Sequence, residues 1–378
     1  MWKSAEGSTL RLIQLCIGYF VFYVITGVTV RYFQFDPNGP GMSGMVFLTY
    51  STFGGTAICL GWVIAFRWFY LKSNRLITWA GITFPSEFLY IIPSGVCTAV
   101  IIPTTTLMYS FKHVSVMVAM VIMRGSVIVI SRFVDSIQIR QGILTKKVYA
   151  EENWGVVFAL LAVGTKIFGG YVERFFMDAA ALAAAAGKAS GKISILQSPA
   201  ALTVLCSYVC AYALRIYIMN YYKNTRPKGQ PYDNKGFFAI EQIAASTTLA
   251  LIAGLMFVLP TSIEQVAEFQ GSILTPHPSW FAGNLAGAAF GIVAFFSVFI
   301  FMFKGRTATF AGLVNRLTSL VAGTAATLLC WQFFGGKFPQ FQDWLSLMFI
   351  FIAVGFMTAA ERKRSKELAA AKEIEEAK

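Results

Sequence analysis

KHVSVMVAMVIMRGSVIVISRFVD, residues Lys112 to Asp135, reads as a membrane span. The stretch is apolar over the length of a bilayer crossing and carries a full positive charge, Arg124, in its middle. A charge at that depth costs about 2.5 to 3.5 kcal/mol on the insertion scale, so the arginine must be compensated inside a helix bundle. Whatever Arg124 faces there is the first clue to function.

The same stretch returns in the second half of the chain. Placing Lys112 on Lys304 also places Ala119 on Ala311, Arg124 on Arg316 and Ser126 on Thr318, with Gly95 on Gly287 and Thr105 on Ser297 upstream. Lys-x11-Arg, followed two residues later by a hydroxyl, thus stands at corresponding places in both halves, as in internally repeated transporters. The plainer alternative is chance similarity between two apolar segments of like composition.

Composition points the same way. With 56% hydrophobic and 13% charged residues and a mean hydropathy of +0.62, the chain is a polytopic membrane protein; soluble domains average about 25% charged. A net charge of +13 in a soluble protein would suggest nucleic acid. Here the basic residues sit between apolar runs and report topology, so no nucleic-acid partner is expected. The six cysteines fall within spans or at their ends, where a free thiol behaves as a small apolar group, and no disulfide framework is expected. Cys206 and Cys210 share a helix face, but the chain has only two histidines, His113 and His277, and neither is near them in sequence. No metal site and no cofactor are therefore expected. Without an HExxH motif, a P-loop in a soluble segment, or a Cys-His or Ser-His pair at one depth, the chain does not read as an enzyme.

Roughly twenty apolar residues cross the hydrocarbon core, and on that basis the fold class is an all-α membrane protein of ten transmembrane helices. The first five run near Leu10–Val30, Gly44–Tyr70, Phe88–Tyr109, Val114–Ser131 and Trp154–Gly169. The second five run near Ala200–Tyr222, Gly236–Leu259, Trp280–Phe303, Thr307–Trp331 and Trp344–Ala360. Leu10–Val30 has no small-residue cleavage pattern after it and reads as the first span. Five spans per half force the second half to enter the bilayer upside down, giving two inverted five-helix repeats. The expected division is 1–170 for the first repeat, an Ala- and Gly-rich linker over 171–198, 199–360 for the second repeat, and a charged, solvated tail over 361–378. Most Lys and Arg residues then lie on the side that holds both termini. By the positive-inside rule that side is expected to be cytoplasmic; a plasma or inner membrane is the default expectation, with a Golgi or plastid membrane as the alternative.

Arg124 and Arg316 each lie twelve residues from an interfacial lysine, about 18 Å along a helix. Both guanidinium groups therefore fall near the midplane of a core roughly 30 Å thick. Glu241 is the sole carboxylate well inside a predicted span, with Glu87 and Asp135 at span ends. One acid does not pair well with two arginines, so part of the compensation is expected from an anionic substrate, whose oxygens match the planar guanidinium fork. Alternatively, helix carbonyls or Glu241 satisfy the arginines and the pair only orients the bundle. Glu241 is expected as a counter-ion to Arg316 or Arg215, or as a proton-coupling group. Gln242, Lys166 and Tyr109 are secondary candidates, Lys166 and Arg215 being within snorkelling reach of the interfaces. Gly54, Gly55, Gly283, Gly287 and Gly291 have the spacing of close helix contacts.

Ten spans in two inverted halves, with matched polar features in the fourth and ninth helices, resemble the drug/metabolite transporter superfamily. Gly312-Leu313-Val314-Asn315-Arg316 is similar to the Gly-Ala-Leu-Asn-Lys motif of the GDP-mannose carriers in its nucleotide-sugar branch. The companion Phe-Tyr-Asn-Asn motif is absent. In that branch a basic residue of the ninth helix meets substrate phosphate, so the resemblance implies substrate-binding roles for Asn315 and Arg316. NWGVVFALLAVGTKIFGG, echoed by DWLSLMFIFIAVGF, suits the EamA-like exporters equally. The expectation is a secondary transporter of a small anionic metabolite, resembling a sugar phosphate or nucleotide sugar, bound by Arg124, Arg316, Asn315 and Glu241. Its partners are that solute and the lipid bilayer, and a homodimer is compatible with the reading. The alternatives are a general drug or amino-acid exporter and a membrane assembly or lipid-handling protein.

Overall fold

In lipid, a chain must satisfy its peptide groups internally, so long apolar runs become helices. The computed structural model describes residues 8–73, 75–79, 81–110, 116–144, 148–176, 199–226, 233–335, 338–339 and 341–376. Residues 106–110, 116–122, 166–176, 200, 342 and 368–376 are described by their backbone alone.

The long helices are α1 (Thr9–Phe35), α2 (Gly44–Ala65), α3 (Phe88–Ser110), α4 (Val116–Arg140), α5 (Ala150–Phe176), α6 (Pro199–Asn224), α7 (Asn234–Val258), α9 (Trp280–Phe301), α10 (Ala308–Phe334) and α11 (Phe341–Glu376). Eight of them, all but α4 and α5, are long and apolar enough among the described residues to cross a membrane. This is a multi-pass integral membrane protein. The α4 helix carries Arg124, Arg132, Asp135 and Arg140, and α5 opens on Glu151 and Glu152. Local chemistry marks several starts: Ser8, Ser43, Asp233 and Thr307 accept backbone N–H groups in the first turns of α1, α2, α7 and α10.

The structure extends the expected spans in several places. α4 runs on to Arg140, and α5 continues to Phe176, so the first residues of the expected linker are helical; 177–198 lie outside the described residues. A β-hairpin, β1 (Leu76–Trp79) and β2 (Ile82–Pro85), fills the α2–α3 connection, with Gly81 at φ +80 in its turn. A short helix, α8 (Glu264–Leu274), lies between α7 and α9. α11 passes through Ala360 without a break, so the segment read as a solvated tail continues the last span as helix to Glu376.

Hydrogen bonds between helix ends fix the directions of the helices. Thr9, opening α1, donates to Glu361 of α11 at 3.0 Å. Asp135, late in α4, accepts from the first N–H groups of α10. Glu152, opening α5, accepts from Thr307 at 2.9 Å. Lys223, closing α6, donates to the Phe301 carbonyl that ends α9, at 3.1 Å. Lys72, beyond α2, donates to Asp233 before α7 at 3.1 Å, and Glu87, before α3, lies 3.5 Å from Arg226 beyond α6. At this one end, α1, α3, α5, α7 and α10 begin and α2, α4, α6 and α9 finish, while α11 passes through on its way out. It is called the basic end below.

Lateral packing pairs α5 with α11, α2 with α9, α3 with α6 and α7, α1 with α9 and α10, and α4 with α5, α6 and α10. The α2–α9 crossing has the glycine contact that the spacing predicts. A Cβ at Gly287 would lie 2.1 Å from the Ser51 carbonyl oxygen, and one at Gly54 would lie 1.8 Å from that of Asn284. Gly95 plays the same part between α3 and α7, where a Cβ would lie 2.6 Å from the Glu241 carbonyl oxygen. On the outside, Ile13, Ile17, Val21 and Ile25 leave an apolar stripe along α1, as lipid contact requires.

Candidate functional site: a buried arginine pair among tyrosines

Arg124 projects from α4 into the bundle and is 8% exposed. Its Nη2 donates to the Tyr23 hydroxyl of α1 at 2.7 Å, and its Nη1 points at the Ser319 carbonyl of α10 at 3.4 Å. The guanidinium also lies 5.4 Å from the Tyr23 ring centroid, close enough for a cation–π attraction. Ser319 is one turn beyond Arg316, so Arg124 reaches the helix that carries the second arginine.

Arg316 is 6% exposed and lies 5.0 Å from the ring centroid of Tyr212 on α6. Tyr19 and Tyr208 are electrostatic neighbours of the same guanidinium, and Tyr19 feels Arg124 as well. Among the described residues, Nε and Nη2 of Arg316 meet no hydrogen-bond acceptor. Next to it Asn315, fully buried, accepts from the Tyr19 hydroxyl at 3.4 Å and donates to Ser297 at 3.1 Å.

The buried acid of α7 is committed elsewhere. Glu241 of α7 is fully buried and accepts from Arg215 of α6 through both oxygens, Nε to Oε1 at 2.9 Å and Nη2 to Oε2 at 3.1 Å. Ser94 and Thr98 of α3 add donors to Oε1 at 2.6 and 3.3 Å. The counter-ion role expected of Glu241 therefore falls to Arg215, which is 6% exposed and paired rather than snorkelling. Asp135 is likewise spent, on Ala308 N at 2.9 Å, Thr309 N at 2.6 Å and Asn220 Nδ2 at 3.2 Å.

Of the sequence candidates, the structure gathers Arg124, Arg316 and Asn315 around Tyr19. Glu241 stands apart with Arg215, and Gln242 beside it is 6% exposed with Nε2 meeting no acceptor among the described residues. Tyr109 and Lys166 lie on α3 and α5, and their side chains are outside the described residues. Four tyrosines that composition and charge do not single out complete the site. Tyr19 with Tyr23, and Tyr208 with Tyr212, form two ring pairs with centroids 5.4 and 4.8 Å apart. The signal for them was present: a Tyr-x3-Tyr spacing occurs in the first helix of each half, as GYFVFYV in one and as SYVCAYA, besides Tyr217 and Tyr221, in the other.

A second buried polar cluster closes the basic end. Glu152, fully buried, binds Arg364 and Thr307, while Arg306, 1% exposed, binds Glu361. Tyr149 donates to Glu367; burial first, and then that carboxylate, push its phenol up to about 12. These contacts strap the end of α11 over the starts of α5 and α10. Two apolar surface grooves, one along α11 at Trp344 and Phe351 and one between α1 and α10 at Val21 and Leu329, lie on outer helix faces.

No family model matches the chain, and no curated protein matches it. A solved structure described only as "Crystal structure of protein" matches 94% of this chain and 99% of its own, with a TM-score of 0.53 and 13% sequence identity. At that identity the likeness is one of fold.

Proposed function

We propose that the chain is a secondary transporter of a small anionic organic solute, bound near the midplane between two inverted five-helix repeats. Support for ten spans in inverted halves comes from helix direction and packing. α1 starts at the basic end and α6 finishes there, and the same reversal relates α2 to α7, α3 to α9, α4 to α10 and α5 to α11. Exchanging the halves turns the α2–α9 contact into α7–α3, α1–α10 into α6–α4, and α1–α9 into α6–α3, all of which occur. Gly287 and Gly95, matched in sequence, both sit at such exchanged crossings.

The observation that carries the proposal is Arg316: a buried cation whose Nε and Nη2 meet no acceptor and which has no carboxylate partner among the described residues. Those are the two atoms through which Arg215 holds Glu241 in this same protein. A carboxylate or phosphoryl group fits that fork side-on. Asn315 orients the solute, and the concentration of basic residues supports a cytoplasmic basic end. These features agree with the resemblance to the drug/metabolite transporters.

Uptake of glucose 6-phosphate, a nucleotide sugar and succinate into proteoliposomes tests this. Arg316→Gln and Arg124→Gln, each folded, are expected to abolish transport of the accepted anion, and Arg→Lys to impair it in part. Full transport by both glutamine variants overturns the substrate role.

A further inference from the structure

The two arginines are matched in sequence and in neighbours, yet they are not in matched states. Each extends from the fourth helix of its half towards an i, i+4 tyrosine pair on the first helix of that half: Arg124 to Tyr23, Arg316 to Tyr212. Arg124 is held by a hydroxyl at 2.7 Å and approaches a carbonyl across the repeat boundary at 3.4 Å. Arg316 keeps Nε and Nη2 without an acceptor among the described residues. In a protein of two inverted repeats, one access state is the other with the halves exchanged. Residues that are equivalent by sequence then differ within a state and trade environments between states.

We propose that the oxyanion site changes hands between the two arginines: the fork of Arg316 receives the anion in this conformation, the fork of Arg124 receives it in the opposite one, and the tyrosine hydroxyls park whichever guanidinium is off duty. The inference rests on the transport reading and deepens it. Its substrate class is a solute with one carboxylate or phosphoryl group presented side-on. Parking matters because an arginine released at midplane without solute would be a bare buried charge. Tyr23 supplies a neutral acceptor in place of an acid, so the anion meets a cation whose charge has not already been cancelled. In the exchanged state Arg316 takes up the cross-boundary contact, and the carbonyl of Val127, which corresponds to Ser319, is its expected acceptor. The basic end is the face strapped by Arg306–Glu361 and Arg364–Glu152. Arg316 is therefore assigned to anion exchanged with the opposite face, and Arg124 to anion exchanged with the basic face.

The test is sided kinetics in proteoliposomes of known orientation, with labelled glucose 6-phosphate and succinate as probes. Arg316→Lys is expected to raise KM about tenfold for probe offered at the face opposite the basic end, and Arg124→Lys to raise it by a similar factor at the basic face. Tyr23→Phe keeps the ring and removes the parking hydroxyl. It enlarges the released fraction of Arg124 and is expected to lower KM at the basic face about threefold, leaving the other face unchanged. A purely structural tyrosine gives no gain of affinity on one side. Both lysine variants raising KM at the same face, or Tyr23→Phe changing neither face, overturns the exchange while leaving the transport reading intact. No uptake of either probe by the unsubstituted protein, together with no stabilisation by any anion, overturns the transport reading and the exchange with it. Should Arg124→Lys not fold, the sign of the Tyr23→Phe effect decides alone.

Discussion

Glu241 grips Arg215 side-on, Oε1 at 2.9 Å from Nε and Oε2 at 3.1 Å from Nη2, and both residues are buried. The pair binds α6 to α7, and Ser94 and Thr98 bring α3 into the same junction. With both oxygens of the acid held by Arg215, its charge is spent on a cation other than Arg316.

Removing one partner of such a pair strands the other charge, so Glu241→Gln and Arg215→Gln are each expected to cost about 3 to 5 kcal/mol. The double replacement Arg215→Met with Glu241→Leu is expected to recover a large part of that loss. Thermal unfolding in detergent reads both. Unchanged stability in Glu241→Gln, with lost transport, would instead make Glu241 a solute ligand.

The α2–α9 crossing gives a graded prediction. Gly287→Ala drives a methyl into the Ser51 backbone and is expected to cost about 1 to 3 kcal/mol. Gly254, on α7, has nothing within 4 Å of a built Cβ, and Gly254→Ala is expected to be neutral or stabilising by about 0.5 to 1 kcal/mol. Equal effects at the two sites would contradict the close approach of α2 and α9.

Asp135 caps α10 from a different helix, taking both Ala308 N and Thr309 N. Asp135→Ala is expected to cost about 2 kcal/mol or more, at the upper end for caps because the site is buried. Hydrogen exchange should rise first at the opening turn of α10. Exchange rising evenly over the whole bundle would contradict a local cap.

Deleting residues 361–378 uncovers Arg306 and Glu152, whose partners Glu361 and Arg364 lie in the deleted segment. The deletion is expected to lower the unfolding temperature, and in the intact protein the cluster should resist salt because buried pairs are poorly screened. A protein that unfolds at the same temperature without the tail contradicts the strap.

Much of this could be read from the chain, for physical reasons that differ from residue to residue. Arg124 and Arg316 stood out because a charge in an apolar run has no inexpensive place in lipid. The glycine contacts were visible as small-xxx-small spacing, since backbones approach closely only where side chains are missing. Tyr19, Tyr23, Tyr208 and Tyr212 were hidden because tyrosine in an apolar helix is unremarkable by itself, and only its recurrence in both first helices marks it. The tail was legible in part. Lys, Arg and Glu at helical spacing read as a solvated face, as Arg362, Lys363, Lys366 and Glu367 are, but Glu361 and Arg364 are buried, and the partner of Arg364 is Glu152, 212 residues away in sequence. Helix spacing does not say whether Arg215 or Arg316 lies within reach of Glu241; only the packing of α6 and α7 against α3 does.

If Arg316 receives an anion, thermal unfolding of the purified protein with added anions will report it. A ligand at a hundred times its dissociation constant stabilises the folded state by about 2.7 kcal/mol. Such stabilisation is expected from a sugar phosphate, nucleotide sugar or carboxylate, and is expected to be lost in a folded Arg316→Gln protein. Stabilisation by neutral or cationic compounds alone, or by an anion equally well in Arg316→Gln, would contradict it.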